Sequence, residues 1–197
     1  MRNARWNLSF ALTGALFAGL SGCMTSKTHE AGTLPPSLET QMQNAVSRVK
    51  HTRGVDRLGS LRIITAFGRH ATAPVTTELL TSEDPQLRSN AVYVLGEIYR
   101  LDGDPLAFEA VRSSMGDENR AVRLEAARAL LDGGDLSGIG ELVEGLERPD
   151  RSTRVHSFLA LRRAAGGRSF GYDPDGDEAS RIDGADRFRS YMAAVAD

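Results

Sequence analysis

Val122-Arg123-Leu124-Glu125-Ala126-Ala127-Arg128-Ala129-Leu130 decides the fold, because its pattern returns elsewhere in the chain at a near-constant interval. Arg123 is followed by Ala126 and Leu130, Arg88 by Ala91 and Leu95, Arg154 by Ser157 and Leu161, and in a weaker copy Arg57 by Ser60 and Ile64. Successive arginines lie 31, 35 and 31 residues apart. A fixed period of this length marks a stack of supersecondary units, each too small to bury its own apolar stripe. Four residues before the arginine stand Asp84, Asn119 and Asp150, with Arg53 in the first copy. The small residue three places after each arginine lets neighbouring helices approach closely.

Outward from that stretch, the chain reads as helices almost without interruption. Leu38, Met42, Val46 and Val49 form one stripe of a 3.6-residue period, with Ser37 placed as an N-cap. Further helices are expected over Arg57 to His70, Pro74 to Leu80, Pro85 to Arg100, Pro105 to Ser114, Arg120 to Asp132, Leu136 to Leu146 and Arg151 to Ala165. Asp102-Gly103-Asp104, Gly133-Gly134-Asp135 and Arg148-Pro149-Asp150 separate them with turn chemistry. No segment alternates as a strand. After Gly166-Gly167, a helix from Glu178 to Val195 is expected to cap the stack through Ile182, Phe188, Tyr191 and Met192.

Leu87-Arg88-Ser89-Asn90-Ala91 with Leu95-Gly96, and Val122-Arg123-Leu124-Glu125-Ala126, resemble the second helix of HEAT repeats. The resemblance covers about residues 37 to 165 and implies an all-α fold, a short α-solenoid of about four HEAT-like helix pairs with a C-terminal capping helix. It also implies that Arg57, Arg88, Arg123 and Arg154 are structural, pairing with acidic residues such as Asp84 and Asp150 of their own or the next repeat. Ser60 and Ser157 depart from the family's alanine, as terminal repeats commonly do.

The N-terminus carries a second message. Arg2 and Arg5 precede an uncharged run from Leu8 to Leu20, and Leu20-Ser21-Gly22-Cys23 follows directly, the layout of an export signal. The apolar run is too short and too rich in small polar residues for an anchor that needs about 20 apolar residues. Leu20, Ser21, Gly22 and Cys23 resemble a bacterial lipobox, and Cys23 is the only cysteine of the chain. That resemblance implies removal of residues 1–22 and acylation of Cys23 with palmitate-class chains. The mature chain would then be lipid-anchored to a membrane facing the periplasm, and Met24 after the cysteine tilts the expectation toward the outer membrane. Residues 23–36, polar and ending in Pro35-Pro36, suit a tether; 37–165 form the repeat domain and 166–197 the turn and capping helix.

Charge narrows the function. Twenty-four basic and 26 acidic residues give a net charge of −2, and loss of Arg2 and Arg5 with the leader takes it to −4, not the balance of a nucleic-acid binder. His29, His51, His70 and His156 make no metal pair, and no nucleophile elbow, phosphate loop or dinucleotide fingerprint occurs. Asp173, Asp175 and Asp177 start like a calcium loop, but the sixth and twelfth places hold Glu178 and Gly184. No cofactor, small-molecule substrate or enzymatic activity is expected. The expected role is a non-catalytic protein-interaction scaffold in the cell envelope, with a protein partner; the alternative is a stabilising subunit of an envelope complex. Tyr93, Glu97, Arg128 and Arg162 are the candidate exposed contact residues.

Overall fold

A computed structural model describes residues 32–196. Cys23 and the leader lie outside the described residues. Among those residues there are nine α-helices and no strand: α1 (Pro36–His51), α2 (Gly54–Ala66), α3 (Thr72–Glu78), α4 (Pro85–Asp102), α5 (Pro105–Ser113), α6 (Arg120–Asp132), α7 (Ile139–Leu146), α8 (Arg151–Ala164) and α9 (Glu178–Ala196). The first eight pair as α1 with α2, α3 with α4, α5 with α6 and α7 with α8, and the second helices α2, α4, α6 and α8 carry Arg57, Arg88, Arg123 and Arg154.

Helix starts follow from side-chain chemistry. Asp84, Asp104, Asn119 and Asp150 each turn a side-chain oxygen onto a backbone N–H of the first turn of α4, α5, α6 and α8. This satisfies donors that the helix cannot pair internally. Ser37 does not cap α1: Pro35 holds the cap position, and Pro36 opens the helix because its ring already fixes a helical φ. The helix expected to reach His70 stops at Ala66, where the chain turns through Gly68 at φ +56° into a short 3-10 turn. A similar 3-10 turn, Leu136–Gly138, precedes α7.

Two apolar clusters fill the interior, and α6 belongs to both. Its Val122, Ala126, Ala129 and Leu130 join the cluster built by α1 to α5, while Leu124, Ala127 and Leu131 join the cluster of α7 to α9. Small residues set the helix spacing at these seams. A Cβ on Gly96 of α4 would stand 2.5 Å from the Cβ of Ala129, and one on Gly145 of α7 would stand 2.0 Å from the Oγ of Ser157. Only glycine permits that approach.

The repeat arginines act as clamps on the turns. Arg88 Nη1 donates to the carbonyls of Ser82 and Glu83, Arg123 Nη1 to those of Asp117 and Glu118, and Arg154 Nη1 to those of Arg148 and Pro149. Each pair of carbonyls lies six and five residues upstream of its arginine. Arg57 makes a shorter version, donating from Nε to the Thr52 carbonyl at 2.7 Å. The expected pairing with Asp84 and Asp150 is corrected here: both carboxylates cap helices, so Arg88 instead bonds bidentately to Asp117 of the next turn at 2.8 and 2.9 Å. Arg123 reaches Glu141 at 3.4 Å, and the Arg154 Nε donates to the Pro174 carbonyl.

The Arg88 guanidinium holds the Asp117 carboxyl below the usual carboxylate range, with the Asn119 N–H assisting. A carboxyl with a lowered folded-state pKa stabilises the fold fully above its unfolded value and stops doing so as pH falls through the folded value. Thermal stability is therefore expected to hold steady from neutral pH down to the ordinary carboxylate range and then drop. Asp117→Asn should be less stable at neutral pH and show a shallower acid limb, read from melting temperature against pH; parallel curves for the two proteins would overturn the assignment.

The C-terminal segment caps the stack with aromatic rings. Phe188 and Met192 of α9 are buried, and Phe170 stands edge-on to Phe188 at 4.9 Å. Tyr172 donates its hydroxyl to the Leu146 carbonyl at 2.5 Å, and its own burial raises the phenol pKa. Ile182, expected among the packing residues, is instead 45% exposed. The aspartates of the preceding turn have structural partners: Asp173 accepts from the Asp175 N–H, Asp175 pairs bidentately with Arg151, and Asp177 caps α9 through Ser180.

Candidate binding face

Counting from each repeat arginine places residues on one shared face of α4, α6 and α8. Two residues on stand Asn90, Glu125 and His156; five on, Tyr93, Arg128 and Leu159; nine on, Glu97, Asp132 and Arg163. Offsets of this kind fall on one side of a helix because successive residues advance by about 100°. Contacts across the repeats tie the face together. The Arg128 guanidinium lies over the Tyr93 ring at 5.7 Å, Arg163 Nη1 meets Asp132 at 3.0 Å, and His156 Nε2 approaches Glu125 at 3.6 Å.

Arg128 is the hub. It donates through Nε and Nη2 to Glu125 Oε1 and through Nη1 to Asp132. Burial works against its charge, but Glu125, Asp132 and Glu97 outweigh that penalty and raise its pKa. The expectation that Arg128 is exposed is therefore corrected: its side chain is 11% exposed, because two acids at helical spacing and a tyrosine from the previous repeat enclose it. Tyr93 and Glu97 are half-buried on the same face, and Glu97 pairs with Arg100 at 2.7 Å. Arg162 is exposed but lies elsewhere, beside the Phe158 ring and donating to the Gly167 carbonyl near the cap.

Two clefts open at the N-terminal ends of these helices. One, about 220 Å³, is lined by Ser89 of α4, Glu125 of α6, and Ser152, Thr153 and His156 of α8. The other, about 570 Å³, lies between α2 and α4 and is lined by Arg57, Leu58, Gln86 and Asn90 among others. The first cleft gathers hydroxyls, an imidazole and a carboxylate, but Ser152 donates its hydroxyl to Asp150 and His156 Nε2 makes no hydrogen bond. Among the described residues no group of three or more His, Cys, Asp or Glu side chains converges as a metal site, and no helix is long and apolar enough to cross a membrane. The row at Asn90, Glu125 and His156 was not singled out from the sequence; a constant offset from the repeated arginine is the signal that finds it.

Residues 45–131, from the second half of α1 almost to the end of α6, match the family of HEAT repeats. The fourth helix pair and α9 lie beyond the matched residues. No curated protein matches the chain. HEAT repeats commonly mediate protein–protein interaction and typically serve as non-catalytic scaffolds.

Proposed function

We propose that this chain is a lipid-anchored, non-catalytic scaffold of the cell envelope that binds another protein on the shared face of α4, α6 and α8. The observation that carries the reading is the polar network of that face. Arg128 bonds to both Glu125 and Asp132, and Tyr93 and Arg163 extend the network across three repeats. A face prearranged in this way loses little side-chain entropy when a partner docks.

The anchor rests on the lipobox-like Leu20-Ser21-Gly22-Cys23 after an uncharged apolar run. Several acyl chains on Cys23 would hold the protein stably, since one alone binds a membrane only marginally. A membrane anchor facing the periplasm, with the outer membrane preferred, belongs to that reading. The alternative, a stabilising subunit of an envelope complex, draws on the apolar edge of α2, where Val55 is 83% and Leu58 52% exposed.

Intact mass of the protein purified from native membranes tests the anchor. The expected mass is that of residues 23–197 plus acyl chains, lost together with membrane association in Cys23→Ala. An unmodified full-length chain would remove the envelope from the proposal. Crosslinking from a photoreactive residue at position 93 in intact cells tests the scaffold, with a discrete protein adduct expected and its absence counting against the reading.

A further inference from the structure

The two ends of the stack are finished differently. At the C-terminal end, acids on α9 and the turn before it are neutralised by arginines: Asp183 by Arg187, Asp186 by Arg189 and Asp175 by Arg151. A terminal repeat that meets water has a polar outer side of this kind. The N-terminal end does not. Val55, Leu58, Gly59, Arg62 and Ala66 fall at helical spacing along α2, opposite its buried Ser60, Leu61 and Ile64. Val55 is 83%, Leu58 52% and the neighbouring Ile63 44% exposed. Arg48 of α1 lines a groove with Ile63, and Arg53 lines a cleft with Leu58. Arg48, Arg53 and Arg62 are exposed, and among the described residues none of the three makes an ion pair or a side-chain hydrogen bond. One exposed apolar residue is ordinary; three around a single helix, set among three unpaired arginines, ask for an occupant.

Charge along the chain says what kind. Residues 36–71 hold six basic residues against two acidic, whereas residues 72–197 hold 15 against 23. The occupant is therefore anionic and carries apolar matter just behind its charge. A second copy stacked head to tail would bring the acids of α9, but those already pair with their own arginines. Residues 24–31 offer a single carboxylate, Glu30, and no large apolar side chain after Met24, too little to cover the face. A phospholipid surface supplies both parts: phosphates for the guanidinium heads, and acyl chains beneath them for valine, leucine and isoleucine. Twelve residues, 24–35, separate Cys23 from α1, so the end of the stack that follows the anchor in the chain is the end that carries this face.

Resting on the anchor reading above, we propose that Val55, Leu58 and Ile63, with Arg48, Arg53 and Arg62, seat the first helix pair on the anionic phospholipid surface that holds the acylated chain. Anchor and face reinforce each other, because a tethered face meets the surface at high effective concentration. The stack then stands on the membrane by its N-terminal end, and the shared face of α4, α6 and α8 runs outward from it toward a partner.

The test places a photoreactive diazirine residue at position 55 or, as control, at the exposed position 182 of α9. Full-length protein purified from native membranes is reconstituted into vesicles of phosphatidylethanolamine and phosphatidylglycerol, irradiated and weighed intact. A phospholipid adduct is expected at position 55, at least about five-fold above position 182. It should fall at least about five-fold when phosphatidylcholine replaces phosphatidylglycerol, or when Arg48→Gln, Arg53→Gln and Arg62→Gln are combined. Equal adducts at the two positions, or an adduct at 55 indifferent to lipid charge and to the three arginines, would overturn the seating. An adduct at 55 with a second copy, or with another protein when native membranes are irradiated, in place of lipid, would overturn it in favour of that occupant. The same mass reads the anchor separately. An acylated chain without lipid at 55 overturns the seating and keeps the anchor; an unacylated chain that still labels at 55 keeps the seating and overturns the anchor; an unacylated chain without label overturns both.

Discussion

Phe188→Ala is expected to remove about 3–5 kcal/mol of stability, and to remove it from one end of the molecule. Phe188 is fully buried, and the rings of Phe158, Phe170 and Tyr172 stand edge-on around it with centroids 6.1, 4.9 and 6.4 Å away. None of these rings belongs to the cluster built by α1 to α5. In a linear stack each unit touches only its neighbours, so a loss at the cap is felt first by α9, then by α7 and α8. Amides of α7 to α9 should exchange hydrogen faster in the variant, while those of α1, α3 and α4 keep their protection. Uniform loss of protection along the chain would show instead that α6, shared by both clusters, welds them into one cooperative unit.

How far the sequence discloses this arrangement depends on what each feature needs. The helix pairs were legible because the arginines recur at 31 to 35 residues and each helix carries its own apolar stripe. Asp84, Asn119 and Asp150 stood out in the sequence only by their spacing from the arginines, and their work as caps of α4, α6 and α8 is a finding of the structure. Ser37 misled because proline at position 36 competes for the same boundary, and the fixed φ of the ring prevails. The burial of Arg128 was half-legible: Glu125 and Asp132 lie at i−3 and i+4 on the same helix, but the Tyr93 ring comes from another repeat. Phe188, Tyr191 and Met192 were legible as the inner side of α9, but Ile182 lies on its outer side, and the Phe170 and Tyr172 rings that fold back onto the helix come from a turn with no periodicity to mark them. The repeat arginines show the limit most clearly, because their acceptors are mostly carbonyls, which every residue owns and no sequence pattern marks.

That chemistry makes Arg154 the most informative of the four. It is only 8% exposed, and its Nη1 donates to the Arg148 and Pro149 carbonyls at 2.8 and 2.6 Å while Nε donates to Pro174 at 2.8 Å. One guanidinium thus fastens the last inter-helix turn to the turn that introduces the cap. Arg154→Met keeps much of the apolar stem and abandons three charge-assisted bonds, which should lower stability by about 3 kcal/mol. Lysine in its place should recover less than half of that loss, since a single ammonium cannot span acceptors that the planar fork of arginine reaches together. Because the acceptors are carbonyls, the deficit should persist at high salt. Arg151→Ala provides the contrast: its partner Asp175 sits with it in solvent, so that effect should be small and fade as salt is added. Urea midpoints at low and high salt would separate the two. Full rescue by lysine, or a deficit that salt erases, would mean that Arg154 acts as a charge rather than as a clamp.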